Sequence, residues 1–128
     1  MNAVQTYNHN LWDHGITQGY RVNGTLYISG QFSHNATGEF VGAGNIETQT
    51  RQTLENLDHV LSQFGITKNN LAYVEVYLTN AQEHGGQVIE LFKEYLGEHH
   101  RPAGSLIGVT YLAFPEQLVE IRAVAHTE

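Results

Sequence analysis

Between Asn45 and Gly65 the apolar residues change period, and this change constrains the fold more than any other feature of the chain. Ile46, Thr50, Leu54, Leu57, Leu61 and Phe64 recur at steps of three and four, which puts them on one stripe of a helix. Asn45 stands where a side-chain cap belongs, and Gly65 where the chain turns left-handed to leave the helix. A helix with one apolar stripe must bury it against another layer. Runs of period two supply that layer. From Leu71 to Thr79, Val74, Val76 and Leu78 alternate with Tyr73, Glu75 and Tyr77. Near the C-terminus Val119, Ile121, Ala123 and Ala125 alternate with Glu120, Arg122, Val124 and His126. A second helical stripe, Val88, Leu91, Phe92, Tyr95 and Leu96, ends at Gly97.

The remaining segments complete an order of β-β-α-β-α-β-β. Tyr20-Arg21-Val22 and Leu26 to Ser29 flank Asn23-Gly24, a two-residue hairpin signal because both positions tolerate positive φ. Ser33 to Gly44 reads as a glycine-rich loop with a short strand at Glu39-Phe40-Val41. Ser105 to Leu112 and Gln117 to Ala125 read as strands joined by a turn at Ala113-Phe114-Pro115-Glu116. Met1 to Gly15 reads as an irregular polar arm that docks through Leu11 and Trp12. The expectation is one α+β domain over residues 1–128, with two helices on one face of a mixed sheet.

Charge and composition exclude several functions. Thirteen acidic residues against six basic ones give a net charge of −7, which disfavours a nucleic-acid partner. The absence of Cys excludes disulfides and thiolate catalysis and fits a reducing compartment, so the expected location is the cytoplasm. No segment is long and apolar enough to predict a membrane span, and the N-terminus does not read as a signal peptide. The eight histidines are scattered, with no HExxH and no i, i+4 pair on a predicted helix, so no metal is expected. His14, beside Gly15, reads either as a cleft residue or as an exposed histidine. Ser29 and Ser105 lack His and Asp partners at any telling spacing.

Five motifs, in order and spanning nearly the whole chain, resemble the RidA/YjgF family of reactive-intermediate deaminases. Leu26-Tyr27-Ile28-Ser29-Gly30-Gln31 resembles its strand ending in Ser-Gly-Gln, and Thr37-Gly38-Glu39 its loop. Thr48 to Leu57 resembles its Asn-Leu helix, and Leu71 to Asn80 its central strand. Pro102-Ala103-Gly104-Ser105-Leu106-Ile107-Gly108-Val109 followed by Val119-Glu120-Ile121 resembles its close, Pro-Ala-Arg-Ser-x-Val-x-Val and then Val-Glu-Ile. The resemblance implies a chorismate-mutase-like fold. It also implies a homotrimer with a small-molecule ligand in clefts between subunits, and hydrolysis needing no cofactor.

The resemblance makes Glu120 the catalytic residue, positioning or activating the water that attacks an imine carbon. Gly30, Gln31, Gly104 and Ser105 fall at its ligand-lining positions. Two departures qualify the implied activity. Gly104 stands where the family has the arginine taken to hold the substrate carboxylate. Gly15-Ile16-Thr17 stands where it often has Gly-Pro-Tyr, leaving Thr17 either as a substitute hydroxyl or as a strand-entry residue. Arg122 shares a face with Glu120, either as a relocated anchor or as a neutralising partner of Glu120 or a neighbour. Arg101 reads as loop. A side chain at position 104 is expected to be tolerated. The expected function is hydrolysis of a small enamine or imine other than the standard 2-imino acids. The alternative is a metabolite-binding trimer without turnover. The ribonuclease activity ascribed to some relatives is disfavoured by the acidic charge.

Overall fold

A computed structural model describes residues 3–127. The helical stripe forms α1 (Ile46–Gln63), whose first turn is capped by Asn45 Oδ1 accepting the Thr48 N–H at 3.0 Å. Gly65 leaves the helix at φ +71°. The second stripe forms α2 (Ala81–Leu96), which ends at Gly97 with φ +77°. Six strands make one sheet: β1 (Gln5–Tyr7), β2 (Gly19–Val22), β3 (Thr25–Gln31), β4 (Leu71–Leu78), β5 (Ala103–Gly108) and β6 (Val119–His126). Their spatial order is β1-β2-β3-β6-β4-β5. All neighbours are antiparallel except β4 and β5, which α2 joins as a parallel crossover unit.

Both helices pack on one face. Val119, Ile121, Ala123 and Ala125 of β6 point into a core with Leu54, Leu57 and Leu61 of α1, and all are buried. Each fully buried leucine contributes about 2 kcal/mol in transfer free energy. The opposite face is open. Tyr20, Tyr27, Val124 and Tyr73 lie side by side in register across β2, β3, β6 and β4. Tyr20 and Tyr27 are 42% and 52% exposed there. The next row pairs Arg122 with Glu75 and Ser105, and the one beyond pairs Glu120 with Tyr77 and Ile107.

Four expectations change, the first being that the strand read over Ser105 to Leu112 is Ala103–Gly108 and stops before Val109. Gln5–Tyr7, read as part of an irregular arm, is an edge strand: its backbone pairs with Gly19–Arg21 while Tyr7 packs on the core. Glu39-Phe40-Val41 makes only an isolated bridge between His34 and Phe40. The C-terminal turn is closed by the Gln117 N–H donating to the Phe114 carbonyl at 3.0 Å. It therefore sits one residue later than read, with Pro115 at its second position. The Asn23-Gly24 hairpin is present as read, with φ +54° and +75°.

Candidate active site

Glu120 is placed by a strand irregularity. Ile28 pairs with Ala123 and Gln31 with Ile121, so Ser29 and Gly30 together oppose Arg122 alone. This two-against-one bulge bends β3 and brings Gly30 against the neighbouring side chain. A Cβ on Gly30 would lie 2.7 Å from Glu120 Cδ, closer than real atoms approach. A side chain here would have to displace the Glu120 carboxylate from its place. On the other side Gln117, itself buried, donates from Nε2 to Glu120 Oε1 at 3.2 Å and to the Val119 carbonyl at 3.2 Å. Its own Oε1 accepts the Phe114 N–H at 3.4 Å. One carboxylate oxygen is thus held by Gln117, while the other lies over Gly30.

Glu120 opens on a cavity of about 280 Å³ between the sheet and the N-terminal arm. One wall is aromatic: Trp12 to Phe32 is 5.5 Å between ring centroids, and Phe32 to Phe114 is 5.0 Å. Trp12 also meets the edge of His34 at 4.9 Å and stacks on His14 at 6.2 Å. The arm is seated because Gly38, at φ +87°, leaves room for the indole; a Cβ there would stand 3.3 Å from Trp12 Cζ2. Asn35 Oδ1 pins that turn by accepting the backbone N–H groups of Thr37 and Glu39, each at 3.0 Å. Gln31 forms part of the floor and is fixed by donating to Gln18 Oε1 and the Ser29 carbonyl, each at 2.9 Å.

Behind His9, Gln31 and His34 lies a second cavity of about 360 Å³, which also meets Tyr7, Glu55 and His59. His9 Nδ1 accepts the Leu11 N–H at 3.1 Å, and its buried Nε2 has no partner. Burial first, then the neighbouring His34 and His59, hold the His9 imidazole below its ordinary value and favour its neutral form. The scattered histidines are therefore partly gathered by the fold. Even so, no group of three or more His, Cys, Asp or Glu among the described residues is placed to hold a metal ion.

The chain matches the family model described as endoribonuclease L-PSP over residues 12–127. A RutC family protein of Pyrococcus horikoshii is 35% identical, covering 88% of this chain and 86% of its own. This chain belongs to the RidA/YjgF family. A 3-aminoacrylate deaminase, RutC of Acinetobacter baylyi, is 28% identical over 83% of this chain and 82% of its own. The crystal structure of the Rid family protein YyfA from Yersinia pestis superposes with a TM-score of 0.88 at 34% identity, covering 97% of this chain and 99% of that one. The two-helix, mixed-sheet architecture is the fold of these relatives.

Within this RidA/YjgF protein the residues singled out from sequence fall into separate places. Glu120, Gly30 and Gln31 share the cavity. Thr17 does not reach it: its hydroxyl donates to the Tyr7 carbonyl at 2.6 Å and ties the arm to the strand entry. Ile16 lines the cavity instead, together with His14. Arg122 does not pair with Glu120. Its Nε donates to Glu75 on β4, which also accepts the hydroxyls of Tyr77 at 2.6 Å and Tyr73 at 3.1 Å. The Tyr77 hydrogen bond, then the one from Arg122, holds the Glu75 carboxyl below the usual carboxylate range. Ser105 is Glu75's register partner on β5.

Gly104 overturns an expectation. A Cβ on it would lie 2.9 Å from Val74 Cγ2 and closer still to the Val74 carbonyl oxygen. A side chain at 104 therefore requires β5 to shift. It would also emerge on the helix side of the sheet, in the groove with Val88 and Phe92, two strands and about 10 Å from β6. Sequence reasoning missed Gln117, Trp12 as a cavity wall, and Phe114. The only signal for the last was its place beside Pro115 in the turn.

Proposed function

We propose that this protein hydrolyses the C=N bond of a small imine, or of the imine tautomer of an enamine, at Glu120. The observation that carries the reading is the carboxylate itself. Gln117 holds one oxygen, Gly30 clears space for the other, and the group opens on a cavity large enough for water and a small substrate. The deaminase named among the relatives supports the same reaction class.

The step needs little apparatus. Water oxygen bonds to the carbon of a protonated imine, its proton passes to Glu120, and the C=N π pair moves onto nitrogen. The proton is then returned to that nitrogen, the C–N bond breaks, and the pair leaves with ammonia. The carbinol hydroxyl loses its proton and becomes the carbonyl. Imine cation and water thus give carbonyl and ammonium. Among the described residues no guanidinium of the same chain lines the cavity, so one chain by itself offers the carboxylate of the standard 2-imino acids no anchor. The reading includes a closed trimer whose clefts bring β5 of one copy toward Glu120 of another.

The test is a panel of imines generated in situ and quenched after short times, with Glu120→Gln as the comparison. Turnover by the natural chain should fall roughly 10²- to 10⁴-fold in the variant. Equal rates in both would reject Glu120 as the catalytic group. Ligand binding without turnover of any imine would leave a metabolite-binding trimer as the function.

A further inference from the structure

Glu120 is held by an amide that is itself held, and both supports are buried glutamines: Gln117 is 2% exposed and Gln49 of α1 is wholly enclosed. We infer that Gln117, anchored through Gln49, positions the Glu120 carboxylate so that Oε2 is the oxygen that takes the water's proton and returns it. The inference rests on imine hydrolysis at Glu120 and adds the residues that set the geometry of that site.

The backbone dictates how the Gln117 amide faces. Its Oε1 accepts the Phe114 N–H at 3.4 Å, and its Nε2 donates to the Val119 carbonyl at 3.2 Å. Turned over, the amide would set its oxygen against a carbonyl oxygen and its nitrogen against an N–H. The second Nε2 hydrogen is therefore left for Glu120 Oε1, at 3.2 Å. An amide nitrogen donates and does not accept. Glu120 Oε1 is thus kept as an acceptor, and the proton falls to Oε2, the oxygen beside Gly30 at the cavity. In the reaction the oxygen of water bonds to the imine carbon while its proton goes to Oε2. The same oxygen returns that proton to nitrogen, the C–N bond breaks, and the pair leaves with ammonia. Gln117 touches no reacting atom and acts through Glu120.

One residue of α1 clamps the backbone on both sides of Gln117. Gln49 Nε2 donates to the Glu116 carbonyl and to the Gly42 carbonyl, each at 3.0 Å, and its Oε1 accepts the Leu118 N–H at 2.8 Å. Glu116 and Leu118 are the chain neighbours of Gln117. A buried primary amide is costly unless its polar atoms are paired, and here both N–H groups and the oxygen of each glutamine are paired. Position 49 lies among the buried residues of α1 with Ile46, Leu54 and Leu57, where an apolar side chain would serve the core alone. The amide serves the turn that carries Gln117. All of these bonds are made within one chain, by side chains that the chain itself buries, so they do not depend on what a neighbouring copy brings to the cleft.

Gln117→Met keeps the length of the side chain and removes its N–H groups. With the imine of the panel that turns over fastest, kcat should fall at least ~10-fold while KM stays within ~3-fold, because the carboxylate is misplaced and substrate binding is not. In a Glu120→Gln chain the same substitution should change the residual turnover by less than ~2-fold, since its effect runs through the carboxylate. A residue that only stabilised the fold would lower both chains by one factor. Gln49→Met should show the same pattern with a smaller fall. Should Gln117→Met not fold, Gln117→Asn, a methylene shorter, carries the same expectation. Nitrogen–proton NMR of the Gln117 side-chain amide, identified by its loss in the position-117 variant, gives a readout besides activity. Its signals should move in Glu120→Gln, where the acceptor loses its charge. Signals that stay in place, or an equal fall in both backgrounds, overturn the inference. Signals that move in a protein that hydrolyses no imine keep Gln117 as the positioning residue of a binding carboxylate and reject the catalytic reading alone.

Discussion

Gly30 and Gly104 look alike in the sequence and differ in what they protect. Gly30 gives way to a carboxylate, a movable side chain, so Gly30→Ala is expected to push Glu120 out of its place between Gln117 and the bulge. Overpacking of this kind costs about 1–3 kcal/mol. Thermal unfolding should show the loss, and imine turnover should fall further than the unfolded fraction explains. Unchanged turnover would mean that Glu120 works from a different position. Gly104 gives way to the Val74 backbone, which cannot swing aside. Gly104→Arg is accordingly expected to destabilise by about 1–3 kcal/mol rather than to restore an anchor. A variant with the natural melting temperature and new activity on 2-imino acids would refute this.

The N-terminal arm carries a pH-sensitive group, His9. It sits on His34 and Phe32 through Trp12, and it half-buries His9 beside His34 and His59. The His9 value in the fold is below 6.5, its value when unfolded. As pH falls through 6.5 the unfolded chain takes up a proton that the folded chain refuses. Stability therefore drops, and levels off only below the folded value. Melting temperature measured from pH 7.5 to 5 should decline less steeply for His9→Gln than for the natural chain. Parallel slopes would show that His9 does not contribute. The bulge in β3 is the other decisive element, since without it Gly30 would not stand against Glu120.

At the scale of the whole molecule one face of the sheet is left uncovered by the helices. A row of Tyr20, Tyr27, Val124 and Tyr73 crosses four strands, while the Arg122–Glu75 pair is fastened by two tyrosine hydroxyls beside it. Tyrosine-rich, partly apolar faces suit a self-association surface. The closed trimer proposed above would cover this one. Light scattering should give three times the chain mass at micromolar concentration, and Tyr27→Lys should lower it. A monomeric natural chain would reject both the trimer and the clefts between subunits.

Local pattern alone determined much of this protein. The stripe at Ile46 to Phe64, the alternation in β4 and β6, the Asn45 cap and the Asn23-Gly24 turn depend on neighbours a few residues away, and all were legible. Parity also placed Glu120 on the open face of β6 before any strand order was known. Strand order itself is a global property, so nothing in β6 announced that Glu75 would lie beside Arg122. The same holds for β1, a three-residue strand whose existence rests on an edge offered by β2. Gln117 and Glu120 are three residues apart, but their hydrogen bond depends on a turn closing at Phe114. His9, His34 and His59 meet only because the arm, the loop after β3 and α1 converge. Periodicity is written by local sterics and burial. The site, by contrast, is assembled from contacts between segments far apart in the chain, and only the tertiary structure decides those.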